Sequence, residues 1–349
     1  MTGIFKSLIP ENCCPVGATE IEFVQDGVNK YSLKCPARML TPSSGRLYSF
    51  GALSDIHTFA TTSYTSDTTA NTDFENALSF FSGLYNDGEV DFVAICGDLT
   101  CYGNQTRQAT APISDLERYK SIVTAQGVTV PIYAMAGNHE WWNGTTVTDA
   151  LMQTYTGHDI CYTFTKGDDV FVMCGMASSS YVFTAETIAW LSNVLETNRN
   201  KRCFVFCHGP ILGYSGDPTR IYPFDILGNE HGATFIQLLQ HYTNCIYFHG
   251  HTHILFSSQS FTQNHDPQIP NCIYDQHLGI HSIHIPSLAI PIDITTGERV
   301  VVPSKSQGYL VDVYANKIVL RGRDFVNNKW VAVSQYQLDT VLNTIPSIS

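Results

Sequence analysis

The stretch "CIYFHGHTH", residues 245–253, combines a short apolar run with two histidines in alternate positions. An apolar, aromatic run of this length is typical of a buried β-strand. Gly250 follows the run, and a glycine permits the sharp backbone turn that a strand end near a ligand requires. In extended backbone, a spacing of two places the His251 and His253 side chains on the same side. The stretch therefore predicts a strand whose carboxyl end presents two imidazoles to a common target.

Four other apolar runs end in residues that commonly bind metal ions. These residues are Asp55, His57, Asp98, Asn138, His139 and His208. Ligands of an open α/β sheet lie beyond the carboxyl ends of its strands, so these residues are expected to converge. Imidazole and carboxylate ligands together favour Zn, Fe, Mn or Ni over Ca or Mg. The ligands outnumber those of one tetrahedral site, which predicts a site for two metal ions.

Apolar runs alternate with amphipathic segments from about residue 46 to residue 250, which predicts an α/β fold with strands covered on both faces. From about residue 280 the pattern is β only. Near the start, the alternating run around "QDGVN", residues 25–29, predicts a hairpin. We therefore predict a β extension over 1–45, a main domain over 46–325, and a β segment with a tail over 326–349.

Composition limits the partners and the compartment. The net charge of −12 argues against an extended nucleic-acid surface or an anionic membrane surface. No apolar run is long enough to span a bilayer, so no membrane span is expected. The 11 cysteines, several inside strand-like runs, predict buried free thiols in the cytoplasm, whereas the 14% of charged residues is compatible with an exported protein.

Five short blocks in a fixed order resemble the calcineurin-like metallophosphoesterase superfamily, including its phosphodiesterase and purple-acid-phosphatase-like branches. The blocks are "DIH" at 55–57, "GDLT" at 97–100, "GNHE" at 137–140, "CHGP" at 207–210 and "GHTH" at 250–253. The resemblance extends over about residues 46–325. It implies a four-layer α/β/β/α sandwich of two mixed β-sheets flanked by helices, with the small β extension added.

The resemblance also implies roles for the residues at the strand ends, with two divalent or trivalent transition metal ions (Mn, Fe, Zn or Ni) as cofactors. The first ion is held by Asp55, His57 and His253, the second by Asn138, His208 and His251, and both by Asp98. His139 resembles the general acid of the family, and the nucleophile would be a metal-bridging hydroxide.

The implied activity is hydrolysis of small phosphoesters by in-line attack, with phosphodiesters slightly favoured over phosphomonoesters. An alternative is a metal-retaining scaffold of the same fold that binds a protein partner and catalyses nothing. A further alternative is a pyrophosphatase or nuclease of this fold. Neither the metal identity nor the oligomeric state follows from the sequence.

The sequence departs from the family pattern at Cys101. Many members carry there an Asp that orients the catalytic histidine, and purple acid phosphatases carry a Tyr, so an iron–tyrosine centre is not expected here. The partner of His139 would then be Glu140, Asp159 or a backbone carbonyl. Cys101 itself is either an additional thiolate ligand or, as we favour, a small buried side chain.

Several further residues have two interpretations each. Trp141 and Trp142 either form a wall of the substrate cleft or pack in the core beside it. Arg220 either meets a phosphate or is solvated, and the segment 254–278 is expected to border the site and to influence substrate choice. Three more histidines in strand-like runs are expected in the core or behind the ligands rather than as ligands: His249, His281 and His284.

Overall fold

Two large β-sheets pack face to face, and helices cover the outer face of each. This arrangement confirms the predicted sandwich of two mixed sheets flanked by helices. The computed structural model describes residues 20–25, 29–34, 45–60, 69–104, 113–178, 183–211, 231–258, 274–275, 280–295 and 298–339.

The strands of the described residues are numbered in chain order. They are Glu20–Gln25 (β1), Asn29–Lys34 (β2), Arg46–Leu53 (β3), Phe92–Cys96 (β4), Ile132–Met135 (β5), Cys161–Lys166 (β6), Asp169–Cys174 (β7), Cys203–Phe206 (β8), Cys245–His249 (β9), Tyr274–Asp275 (β10), Ile280–His284 (β11), Ile292–Asp293 (β12), Val300–Val301 (β13), Gln307–Tyr314 (β14), Lys317–Asp324 (β15) and Lys329–Asp339 (β16).

The helices are distributed over the outer faces of the two sheets. The α-helices are Ala70–Asn86 (α1), Asp115–Val123 (α2), Asp149–Thr156 (α3), Ala185–Thr197 (α4) and Gly232–His241 (α5), and two 3₁₀ turns span His139–Gly144 and Phe256–Ser258. Ser114 caps α2, because its side chain accepts from the Glu117 backbone N–H. Among the helices in the described ranges, none is both long and apolar enough to cross a bilayer.

The first sheet has the order β2-β1-β16-β15-β14-β3-β4-β5, and the second has the order β10-β11-β9-β8-β7-β6. Strands β3, β4 and β5 run parallel in the first sheet. Strands β7, β8, β9 and β11 run parallel in the second. Parallel strands have their carboxyl ends at one edge of each sheet, so the chain leaves both sheets on the side where the predicted ligands lie.

The predicted N-terminal hairpin is present as β1 and β2, which pair antiparallel up to Gln25 and Asn29. Strand β1 also pairs parallel with β16, so both terminal segments extend the first sheet. The domain limits at residues 45 and 325 stay a prediction.

An aromatic layer fills the space between the two sheets. Phe50 of β3 is fully buried and stacks on Phe92 of the neighbouring strand at a ring-centroid distance of 5.3 Å. Across the interface its ring meets the edges of Phe171 at 5.2 Å and Phe204 at 5.4 Å. Edge-to-face pairs of this kind add to the hydrophobic stabilisation of large buried rings. Phe50 thus holds the first sheet in a defined position on the second.

We expect the substitution Phe50→Ala to lower the free energy of unfolding by about 3–5 kcal/mol, because it opens a cavity between the sheets. Urea denaturation followed by circular dichroism measures the change. The control is Leu47→Ala on the same strand. Leu47 is 59% exposed, and its truncation should stay within about 0.5 kcal/mol. Equal effects of both substitutions would contradict the importance of the aromatic layer.

Candidate metal centre

The carboxyl ends of five parallel strands meet at one edge of the sandwich and bring the predicted ligands together. Strands β3, β4 and β5 lead into the first-sheet residues, and β8 and β9 lead into the second-sheet residues. Backbone hydrogen bonds link neighbouring ends, from Asp55 N to Gly97 O at 3.2 Å and from Gly250 N to His208 O at 3.2 Å. All seven predicted ligands lie here, buried except for the partly exposed His253.

The side chains fall into two groups that share one carboxylate. The ligand atoms of each group lie within 4.8 Å of one another. The groups are Asp55, His57, Asp98 and His253, and Asp98, His208 and His251. The amide oxygen of Asn138 lies 3.1 Å from His251 Nδ1, which adds it to the second group.

Most of these residues have a left-handed backbone conformation, which residues other than glycine rarely adopt. Positive φ angles occur at Asp55 (52°), His57 (50°), Asp98 (50°), His251 (72°) and His253 (63°). Left-handed backbone at a non-glycine residue costs about 1–3 kcal/mol, and such residues cluster at functional sites. The fold therefore maintains strain at five positions within one site.

The contacts in the cluster leave ligand atoms without ordinary hydrogen bonds. The Nε2 atoms of His57 and His253 lie 3.2 Å apart. Asp98 Oδ2 and His208 Nε2 lie 3.1 Å apart, yet neither atom has a hydrogen-bond partner of suitable geometry among the described residues. Buried polar atoms are normally satisfied, so unsatisfied atoms aimed at one point fit a site built for metal ions.

The remaining ring nitrogens are held by backbone carbonyls. His208 Nδ1 lies 2.7 Å from Cys96 O, and His253 Nδ1 lies 3.1 Å from Ile290 O. A carbonyl oxygen only accepts, so each Nδ1 donates, and Nε2 is the nitrogen that faces the cluster and would bind a metal ion in place of a proton. This is how neutral imidazole ligands are oriented around a metal ion.

The electrostatics also favour a cation at this place. The carboxylates of Asp55 and Asp98 are both excluded from solvent. Burial opposes the charged form of His208, but Asp98 and then Asp55 outweigh it and raise the pKa of this ring to about 10. Buried carboxylates are stable only with positive charge nearby, and metal ions bound here would supply that charge.

His139 lies beside the ligands, and the structure identifies its partner. The His139 backbone N–H donates to Asp98 Oδ1 at 2.9 Å, and its Nδ1 donates to the carbonyl of Cys101 at 2.9 Å. The Asp159 carboxylate accepts instead from Gln153. Among the three partners considered from the sequence, the structure selects the backbone carbonyl.

Comparison with known proteins agrees with this geometry. The profile of the calcineurin-like phosphoesterases matches residues 48–255. The chain belongs to the calcineurin-like phosphoesterase family. Membership confirms the predicted superfamily and, together with the clustered ligand side chains, supports a metal-dependent hydrolase. No curated protein matches the chain in sequence.

Two solved structures share the fold of this phosphoesterase at low sequence identity. A dimetal phosphatase from Danio rerio is 14% identical with a TM-score of 0.57, and the match covers 85% of this chain and 100% of that one. A purple acid phosphatase from yellow lupin (Lupinus luteus) seeds is 15% identical with a TM-score of 0.53, covering 89% of this chain and 56% of that one.

The Cys101 thiol has a role in packing. It donates to the backbone carbonyl of His57 at 3.1 Å and lies in a small apolar cluster with Phe59, Ala70 and Ala289. A thiol that donates to a carbonyl is protonated, and Cys101 belongs to neither group of ligand atoms. This contact supports the small buried side chain over the additional thiolate ligand.

Glu140 connects two of the strand ends. Its Oε1 accepts from the Thr100 backbone N–H at 2.9 Å, and its Oε2 accepts from the Gly137 N–H at 2.7 Å. Burial and then Asp98 raise the pKa of Glu140 to about 7. The carboxyl therefore positions the loops after β4 and β5, and it does not orient His139.

One supporting residue, Ser287, did not emerge from the sequence. Its hydroxyl donates to the backbone carbonyl of Asp55 at 3.0 Å, and the Leu288 N–H donates to Ser54 O at 3.1 Å. Ser287 follows β11, which is parallel to β9. Its position after a strand was the sequence signal that could have identified it as a residue of the site.

The two neighbouring tryptophans divide between the two interpretations. Trp141 packs against the core and donates from Nε1 to Met176 O at 3.0 Å. Trp142 is 36% exposed and stacks on the His139 ring at a centroid distance of 3.8 Å. Tyr102 lies beside Trp142 at 6.2 Å. Only Trp142 is therefore placed to form a wall of the cleft.

The other residues singled out from the sequence lie behind the centre or outside the described residues. His249 and His284 are buried, and His284 Nε2 lies 2.7 Å from Thr252 Oγ1, as expected for core positions. His281 lies partly buried in β11. Arg220 and most of the segment 254–278 lie outside the described residues.

We expect Gly250→Ala to weaken the binding of a transition metal ion by at least about tenfold. A methyl group there would collide with the Ser54 hydroxyl and lie 2.6 Å from Asp55 Oδ2, which displaces this carboxylate. Competition with a chromogenic chelator measures the affinity. The control is Gly83→Ala, where a methyl group meets nothing within 4 Å. Unchanged affinity in the Gly250 variant would contradict a ligand role for Asp55.

Proposed function

We propose that the chain hydrolyses small phosphoesters at this centre with two transition metal ions, and that it slightly favours phosphodiesters over phosphomonoesters. One observation carries the proposal: the Asp98 carboxylate belongs to both groups of ligand atoms. A shared carboxylate has lone pairs for two cations and would hold them next to each other. Two adjacent cations are the arrangement that clamps a phosphoryl group for in-line attack.

The residues would divide between the two ions as the family resemblance implies. The first ion would be held by Asp55, His57 and His253, the second by Asn138, His208 and His251, and both by Asp98. When bound, the ions would supply a hydroxide nucleophile at neutral pH and neutralise charge on the phosphoryl oxygens. Mn, Fe, Zn and Ni all suit this mixture of imidazole and carboxylate.

His139 would act on the leaving group. Its Nδ1 is engaged by the Cys101 carbonyl, so Nε2 is the nitrogen that remains to meet the substrate. Nε2 lies 3.9 Å from Asp98 Oδ2, at the border of both ligand groups. Burial lowers the pKa of His139, so the ring would have to take up a proton on Nε2 when substrate binds. In that form it would donate a hydrogen bond to a phosphoryl oxygen or a proton to the departing alkoxide.

The surroundings support a small substrate rather than a polymer. The net charge of −12 opposes long-range attraction of nucleic acid, so we propose no extended nucleic-acid surface. The described cysteines are free thiols, which supports the expected cytoplasmic location. The clustering of all seven candidate ligands supports catalysis. The departure from the family pattern at Cys101 is the one feature that favours the alternative of a non-catalytic scaffold.

The test compares bis-p-nitrophenyl phosphate with p-nitrophenyl phosphate after metal removal and reconstitution with Mn, Zn, Fe or Ni. We expect metal-dependent turnover and a preference for the diester. Asp98→Asn should lower kcat/KM by more than about 100-fold through loss of both ions. His139→Ala should lower kcat by about 100- to 10,000-fold, with bound metal retained. Binding of two metal ions without turnover of either ester would overturn the hydrolase and favour the scaffold.

Trp142 gives a second prediction, about the leaving group. A leaving oxygen within reach of His139 Nε2 would place its carbon skeleton against the indole, which stacks on that histidine. We expect Trp142→Ala to lower kcat/KM for a benzyl phosphoester by about 2- to 10-fold more than for the cyclohexylmethyl ester. Trp142→Phe should retain most of the preference. An equal loss on both esters would contradict an aromatic wall at the leaving-group side.

A further inference from the structure

A pair of cysteines directly faces each other across the hairpin at the edge of the second sheet. Cys161 of β6 is the register partner of Cys174 of β7. The hairpin closes at the pair Lys166 and Asp169, and Gly175 N donates to Ile160 O at 3.1 Å. Hydrogen-bonded and non-hydrogen-bonded pairs alternate in antiparallel strands. Because the pair of Ile160 and Gly175 is hydrogen-bonded, the next pair, Cys161 and Cys174, is of the non-hydrogen-bonded type.

This position suits a disulfide. The Cα atoms of a non-hydrogen-bonded pair lie about 4.5 Å apart, inside the range of about 4.4–6.8 Å that a disulfide requires. Both side chains lie on the face of the second sheet that α4 and α5 cover, where Cys174 belongs to the apolar cluster and Cys161 packs against it. Donation from the Cys174 thiol lowers the pKa of Cys161 and raises the pKa of Cys174.

The two thiols differ in their access to solvent. Cys161 is half-buried, whereas Cys174 is fully buried. The chain offers a comparison in Cys203 and Cys245, which are register partners on the parallel strands β8 and β9 and are both buried. Exposure and thiolate character together govern the reactivity of a cysteine, so Cys161 is the entry point for an oxidant and the buried pair is not.

We propose that Cys161 and Cys174 form a reversible disulfide by exchange with a small-molecule disulfide such as oxidised glutathione. The Cys161 thiolate attacks one sulfur of that molecule, forms a mixed disulfide and releases one thiolate. The buried Cys174 thiol transfers its proton to the released thiolate and attacks the Cys161 sulfur, which forms the intrachain bond and releases the second thiolate. Two electrons pass from the protein dithiol to the small disulfide, and two small thiols result.

The cysteine pair lies close to the loop that carries His139. Gly175 and Met176 directly follow it, and Met176 N donates to Ala136 O at 3.0 Å. Met176 O accepts from Trp141 Nε1 at 3.0 Å. A disulfide would join β6 and β7 covalently at the point where the second sheet supports the loop that carries His139. Because the bond closes a loop of the unfolded chain, it should also stabilise the folded state.

The experiment uses the full chain and does not depend on the proposed hydrolysis. Reduced protein is incubated with oxidised glutathione, quenched with acid, unfolded and labelled with N-ethylmaleimide, and its mass is measured. Reduced protein should take 11 labels, and oxidised protein should contain a peptide that links Cys161 to Cys174, with both cysteines unlabelled. Dithiothreitol should restore the labels. The oxidised chain should melt a few degrees higher than the reduced chain.

Two variants separate the pair from the other cysteines. Cys161→Ser should abolish the linked peptide and the shift in Tm, whereas Cys203→Ser, its control in the same sheet, should retain both. The proposal is overturned if glutathione remains on Cys161 while Cys174 is labelled. It is also overturned if Cys174 is linked to another cysteine, or if the oxidised wild-type protein keeps a label on both.

Discussion

Two buried carboxylates, those of Asp55 and Asp98, require compensating positive charge or hydrogen-bond donors, and the rest of the site provides them. Each follows a strand of the first sheet, and neither reaches solvent. A buried negative charge is stable only where positive charge or hydrogen-bond donors compensate it. Imidazoles from both sheets converge on these carboxylates. The two carboxylates raise the pKa of His208, because they stabilise its protonated form. Metal ions bound by these residues would meet this requirement for positive charge, which agrees with membership of the calcineurin-like phosphoesterase family.

The arrangement depends on rigid support, because it is strained. Left-handed backbone at Asp55, His57 and Asp98 persists only if the surrounding structure leaves these residues no alternative. The aromatic layer around Phe50 packs the first sheet on the second, which opposes separation of the strand ends. Ser287 and Glu140 then hold individual loops through backbone contacts. The stability of the sandwich and the geometry of the centre thus have a common physical basis.

At Cys101 the sequence departs from the family pattern that the resemblance implies, and His139 nevertheless has a hydrogen-bond partner at this residue. A side-chain carboxylate is absent at this position, yet His139 still has an acceptor, the carbonyl of the same residue. A carbonyl accepts a hydrogen bond as a carboxylate does, but it carries no full charge. The Cys101 thiol takes no part in this contact and packs against the apolar neighbours Phe59 and Ala289. Orientation of the histidine is therefore kept while the local charge changes.

The sequence by itself determined an α/β fold and the residues that gather at its edge, and the two-sheet sandwich followed from the resemblance to the family. Apolar periodicity and the residues after each run are local signals, and parallel strands place their carboxyl ends together. The short helix α3 and the half-exposed strand β6 carry weaker signals and were not predicted.

Only the tertiary structure decided which atom holds His139, which tryptophan packs in the core, and that Ser287 supports Asp55. The hydrogen bonds of His139, Trp141 and Ser287 join residues far apart in the chain, and they depend on how side chains pack, which no local pattern encodes.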